Sequence, residues 1–253
     1  MNSLVAFLIA FAAILGGAAI GGFLRRTLPG HHLSDDTKDV MRLGSSLIGW
    51  MAALVLGLLI ASANNTYEGE STQITRMTAN IILLDQLLAA YGPETRETRQ
   101  SMRSAIGPLA DQIWREHASG TASQITFAQN PSGEAAFVKV QELQPQNDLQ
   151  RALKTRAVQV TTEIAQSRFL LFEQAQGGIP RPFLAVLVLW LSIIFATYSL
   201  FSRPNPTLIA AVVVFAFSAA SAIFLLVELS QPFTGLMQIS SMSLRGALAP
   251  LGP

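Results

Sequence analysis

Four stretches of the chain carry no charged side chain: Leu4–Leu24, Leu43–Tyr67, Pro182–Ser202 and Pro204–Val227. Each holds roughly the 20 apolar residues needed to cross a hydrocarbon core as a helix. Buried helices of soluble proteins seldom run that far without a charge. The pattern predicts an all-α membrane protein with transmembrane helices at 4–24, 43–65, 182–202 and 205–228. Between the second and third lie 11 of the 17 Lys and Arg and 12 of the 16 Asp and Glu. The expected plan is four transmembrane helices with an extramembrane helical-bundle domain, 66–178, inserted between the second and third. The tail, 229–253, mixes apolar and polar residues and reads as an interfacial segment. Met1-Asn2-Ser3 has no side-chain charge and Arg25-Arg26 follows the first apolar run, so a retained helix is expected rather than a cleaved signal peptide.

The polar segment is patterned for helices. Ile74, Met77, Ile81, Leu84, Leu88 and Tyr91 are spaced alternately three and four apart, a two-heptad seam that stops at Gly92-Pro93. No breaker separates this seam from the second apolar stretch, which predicts one helix from about Leu43 to Tyr91. A break at Asn64-Asn65, whose side chains compete for backbone hydrogen bonds, is the alternative. A further helix is expected with Met102, Ile106, Leu109 and Ile113 on one face and a kink at Pro108. His117–Gly133 reads as loop, with a short helix near Glu134–Leu143 after it. Gln144-Pro145-Gln146-Asn147-Asp148 is then expected to cap a long helix running to about Gln176, ended by Gly177-Gly178.

Small residues recur at intervals of four in the apolar stretches. Ala13, Gly17 and Gly21 do so in the first; Ser45, Gly49, Ala53, Gly57 and Ala61 do so in the second, where they are expected to form one continuous stripe on a shared helix face. In lipid, small residues let helix backbones approach closely, so dispersion can replace the missing hydrophobic drive. The second set are candidates for helix packing or pore lining, with the first apolar stretch or a neighbouring subunit as partner. Leu54, Leu58 and Ile60 are candidates for an apolar constriction. Ile179-Pro180-Arg181-Pro182 starts the third span, and Arg203-Pro204-Asn205-Pro206 makes a tight turn between the third and fourth. Glu228 is a candidate at the end of the fourth.

Half of the 253 residues are apolar and only 13% are charged, against about a quarter in soluble domains. That excludes a disordered chain and, with a net charge of +1, a nucleic-acid binder. The absence of cysteine removes disulfides and thiol chemistry. No phosphate loop, nucleophile elbow or zinc-protease helix is present, so neither an enzyme nor a cofactor is expected. His31-His32 near Asp35-Asp36 reads as a solvated loop capped at Ser34 or Asp35, with a divalent metal as the alternative; no metal is assigned. Glu94, Arg96, Glu97 and Arg99 read as a solvated helix face. No ionisable residue lies inside a span, which argues against proton coupling or voltage sensing. Arg25, Arg26, Lys38, Arg42 and Arg203 fall in the two short loops that share a side, against Arg76, Arg168, Arg181 and Arg245 on the other. By the positive-inside rule the helical domain is expected outside the cytoplasm.

The basic loop beginning Arg25-Arg26, the run Leu54-Val55-Leu56-Gly57-Leu58-Leu59, Ile179-Pro180, and Glu228-Leu229-Ser230-Gln231-Pro232-Phe233-Thr234-Gly235 together resemble a bacterial membrane family labelled bestrophin-like. The resemblance covers nearly the whole chain and implies a multi-pass protein of the bacterial inner membrane. Bestrophins are pentameric anion channels with a helical domain between their second and third membrane segments. The resemblance therefore implies an oligomeric ion channel, with small anions favoured over cations. Two departures accompany it: bestrophins hold that domain in the cytoplasm, and their acidic calcium-binding cluster has no match here. The partners expected are the lipid bilayer and further copies of the chain. The alternative is a non-conducting membrane sensor or scaffold whose helical domain binds an envelope partner.

Overall fold

The computed structural model describes residues 2–29, 34–119, 131–174 and 179–246, and every regular element among them is helical. The helices are α1 Ser3–Thr27, α2 Asp35–Tyr91, α3 Arg96–Ser119, α4 Pro131–Glu142, α5 Asp148–Gln174, α6 Arg181–Phe201, α7 Pro206–Leu229 and the single turn α8 Met242–Arg245. α1, α2, α6 and α7 are long and apolar enough to cross a membrane. α2 is unbroken at Asn64 and Asn65 and, at 57 residues, is about 85 Å long. His31 and His32, residues 120–130, and Gly177-Gly178 lie outside the described residues, as do the expectations that fell on them.

The chain divides into two compact units, each with its own core. The first comprises Met1–Asn65 and Gly178–Ser230. Its tightest contact is between α1 and α6. An ideal Cβ placed on Gly17 would lie 3.0 Å from the Ser192 Cα, and one on Gly21 2.7 Å from the Ala196 carbonyl carbon. Both neighbours are main chain, so only glycine fits. Gly17 and Gly21 thus have their partner within the chain. Around this contact Ala10, Ala52, Leu187, Ala220 and Ile223 form the buried core. Phe7 stacks on Phe11 at 5.9 Å and meets Phe217 of α7 edge-on at 5.4 Å.

Three hydroxyls inside these apolar helices are satisfied locally, which suits a hydrocarbon environment. Ser192, Thr197 and Ser221 each donate to the carbonyl four residues back, at 2.8, 2.9 and 2.8 Å. Between α6 and α7, the Asn205 Oδ1 accepts from the Leu208 N–H at 2.6 Å and Pro206 occupies the first turn. This N-cap followed by proline starts α7 sharply. The Ser34 Oγ accepts from the Thr37 N–H at 3.4 Å, making Ser34 the residue that caps α2.

The second unit comprises Thr66–Gly177 and Gln231–Pro253. All six seam residues of α2, from Ile74 to Tyr91, are buried. Met102, Ile106 and Ile113 of α3 are buried too, and Leu109 packs against them in part. Gly92, at φ 141°, reverses the chain after α2, a conformation that side chains rarely adopt. A 3-10 turn, Pro93–Thr95, then leads into α3, and the buried Thr95 hydroxyl donates back to the Leu88 carbonyl. Pro108 lies within α3, which continues to Ser119. α3 therefore outlasts the loop expected from His117, and α4 begins at Pro131, a residue suited to the first helical turn. α5 starts as the sequence suggested, with the Asn147 Oδ1 accepting from the Gln150 N–H at 2.8 Å.

The C-terminal segment packs into the second unit over its described residues. Phe233, Ile239 and Leu244 are core residues of the second unit, packed with Ile74, Met77, Ile113 and Leu171. Phe233 meets Trp114 edge-on at 5.3 Å, the Trp114 indole donates to the Ile239 carbonyl at 3.0 Å, and Arg245 pairs with Asp111. The tail's mixed pattern comes from one side being buried against α3.

Gly21→Val should leave little folded protein, because the Ala196 backbone cannot move aside. Gly57→Val should be tolerated by the single chain, since an added Cβ there meets nothing within 4 Å. The yield of monodisperse protein in mild detergent compares the two.

Candidate functional site

α2 is the least covered of the four apolar helices: 11% of its most apolar stretch is buried within the chain, against 33% for α1. Its inward side carries Ser45, Ala52 and Ala63, all buried. Gly49 lies on the same side, where an added Cβ would come within 3.9 Å of Ile194 on α6. The opposite side carries Leu43, Leu47, Trp50, Leu54 and Leu58, each more than 60% exposed.

The five small residues of α2 do not share one side. At 3.6 residues per turn, each step of four advances about 40°, so the set sweeps about 160° from Ser45 to Ala61. Ser45 is buried and Gly49 half-buried against the chain's own helices, while Ala53, Gly57 and Ala61 are exposed. Of the apolar candidates, Leu54 and Leu58 lie on the exposed face. Ile60 is half-buried; six residues beyond Leu54, it sits about 120° round the helix. The open face thus joins large apolar side chains to three small ones.

Acidic groups that the sequence pattern passed over occupy the second unit. Asp85 is fully buried beside the seam, and the Arg99 guanidinium donates to both of its oxygens, at 2.9 and 2.7 Å. Arg103 approaches the same carboxylate at 3.4 Å. Burial pushes the Asp85 carboxyl up, but the Arg99 and Arg103 hydrogen bonds and charges outweigh it and hold it below the usual range. The expected solvated face of α3 is therefore divided. Arg99 serves this buried pair, while Glu97 meets Lys139 of α4 at 2.7 Å. A signal was available: Asp85 and Arg99 are equidistant in sequence from Gly92, so a helical hairpin folded there sets them opposite one another.

Glu70 is 2% exposed, its Oε2 has no hydrogen-bond partner, and burial pushes its carboxyl up to about 7. Glu228, near the C-terminal end of α7 in the first unit, is also buried. No group of three or more His, Cys, Asp or Glu that could hold a metal occurs among the described residues.

Four membrane-length helices, a helical second unit and an open apolar face on α2 define a multi-pass helical membrane protein. The chain belongs to the bestrophin-like family: a model of the bestrophin-like domain matches residues 12–244. Its fold is similar to the crystal structure of a mutant bacterial bestrophin homologue from Klebsiella pneumoniae, at a TM-score of 0.71 and 14% identity over 100% of both chains. No curated protein matches it in sequence.

The two buried acids give opposite pH dependences. Glu70 keeps its proton in the folded state above the pH at which the unfolded chain loses it. Its contribution to stability therefore declines as pH rises from about 4.5 to about 7. Thermal unfolding in detergent should show Glu70→Gln gaining on the unaltered protein at pH 8 and matching it near pH 4. The stability from Asp85 is present above the ordinary Asp range and is lost as pH falls through its lowered folded value. Asp85→Asn leaves two arginines facing an uncharged group and should cost about 3 kcal/mol at pH 7, with the difference shrinking in acid.

Proposed function

We propose that the chain is one subunit of a homo-oligomeric ion channel of the bacterial inner membrane, conducting small anions, with the open face of α2 at the subunit contacts and the pore. The observation that carries this is the exposure of Ala53, Gly57 and Ala61 alongside Leu54 and Leu58. An apolar face on a membrane helix is satisfied by lipid, so apolarity alone points to no partner. Small residues differ, because they forfeit dispersion contacts against lipid and recover them against another helix. Rotational symmetry would set identical α2 faces around an axis, leaving Leu54 and Leu58 to form rings that gate by dewetting. No acidic residue lies between Leu43 and Tyr67, which favours anions over divalent cations. Membership of the bestrophin-like family and a fold shared with a bestrophin homologue over the whole chain support the reading.

The second unit is read as the extramembrane domain. Arg25, at the end of α1, donates to the Leu200 carbonyl near the end of α6 at 3.2 Å. That groups the basic ends of the first and third spans on one side, and the positive-inside rule assigns that side to the cytoplasm. The domain then lies on the outer side.

Liposomes holding the purified protein should release chloride in preference to potassium. Gly57→Leu should fold yet elute as a smaller particle and lose flux. A monomeric protein that passes no ion would point instead to the non-conducting sensor or scaffold.

The native chain has no cysteine, so single cysteines report topology without background. An impermeant thiol reagent on intact cells should label Asp148→Cys and spare Ser34→Cys. The reverse pattern places the domain in the cytoplasm, as in bestrophins.

A further inference from the structure

The first unit has a groove of about 490 Å³ between α1, α6 and α7. One wall is apolar, lined by Leu15, Ala19, Phe23, Leu208 and Val212, and one end is polar, with Arg25, Arg26, Ser199 and Ser202. Its depth comes from small residues on α1: Gly22 lines it, and a Cβ added there would meet nothing within 4 Å. From Leu15 to Arg26 the helix rises about 16 Å, close to half of a hydrocarbon core about 30 Å thick. The groove is therefore one leaflet deep, and its cationic end falls where that leaflet's headgroups lie.

We propose that this groove holds a single anionic phospholipid, with its phosphate at Arg25 and Arg26 and an acyl chain along the apolar wall. Among the described residues neither guanidinium is paired with a carboxylate, so both charges are available to a ligand. The hydrogen bond from Arg25 to the Leu200 carbonyl holds its guanidinium at the groove while leaving other donors free. α7 begins at Pro206 beside the same end, where its dipole adds partial positive charge. Ser199 and Ser202 supply hydroxyl donors. Water cannot fill the apolar wall favourably, whereas a hydrocarbon chain can. A free anion would match only one end of the groove, and a neutral lipid only the other. The site requires only that the chain be a membrane protein and is independent of conduction.

The test is native mass spectrometry of delipidated protein in mild detergent, titrated with phosphatidylglycerol, with phosphatidylcholine of the same chains, or with inorganic phosphate. One phosphatidylglycerol per subunit should be retained in preference to phosphatidylcholine. Arg26→Gln should weaken its retention about fivefold while leaving phosphatidylcholine unchanged, the effect of one basic residue at a headgroup. Gly22→Leu, which fills the groove without touching the charges, should weaken both lipids. Because the two substitutions act on different features, either reads the site if the other fails to fold. Equal retention of the two lipids, phosphatidylglycerol binding unchanged by either substitution, or inorganic phosphate binding as tightly as the lipid would overturn the proposal.

Discussion

The approach of α1 to α6 at Gly17 and Gly21 is the contact on which the membrane unit depends. Helices immersed in hydrocarbon gain little by excluding solvent from one another, because lipid tails are as apolar as leucine. What holds them is close packing, and here two glycines bring main chain onto main chain at Ser192 and Ala196. With that register set, α7 closes on α1 through Phe7 and Phe217. Ala52 of α2 joins the same core. The two sides of α2 follow from this arrangement, one committed to the chain's own helices and the other left open.

The second unit is held differently. Its core is a conventional hydrophobic one in two clusters: Ile74, Met77 and Ile81 of α2 pack with α3, α5 and the C-terminal segment, and Leu84 and Leu88 pack with α3, α4 and α5. Asp85 with Arg99 and Arg103 adds a buried charge group that is tolerated because each carboxylate oxygen is met by a guanidinium. Such a group contributes less to net stability than to specificity, since removing either partner strands the other. Glu70 lacks that compensation at one oxygen, and its raised affinity for a proton is the consequence of burial without a partner.

These features meet on α2. The helix carries the open face of small and large apolar residues in its first half and the buried Glu70 and Asp85 in its second. Glu70 and Asp85 differ in how burial is answered, the first by holding a proton and the second by two arginines.

Element types and their order were legible in the sequence because each rests on a local rule. Charge-free runs of membrane length gave four helices, the three-four spacing from Ile74 to Tyr91 gave a buried seam, and Gly92-Pro93 gave its end. The lack of a breaker around Asn64 gave continuity. Partnership was not legible. An interval of four looks like one face in a sequence, yet it drifts about 40° per step on a real helix. Only the packing shows Ser45 and Gly49 turned inward and Gly57 turned out. The same limit hid the burial of Phe233, Ile239 and Leu244, and it left Arg99 looking solvated until α3 folded back onto α2. Which side chains meet across helices depends on rotation and register, and those are set by contacts between residues far apart in the chain.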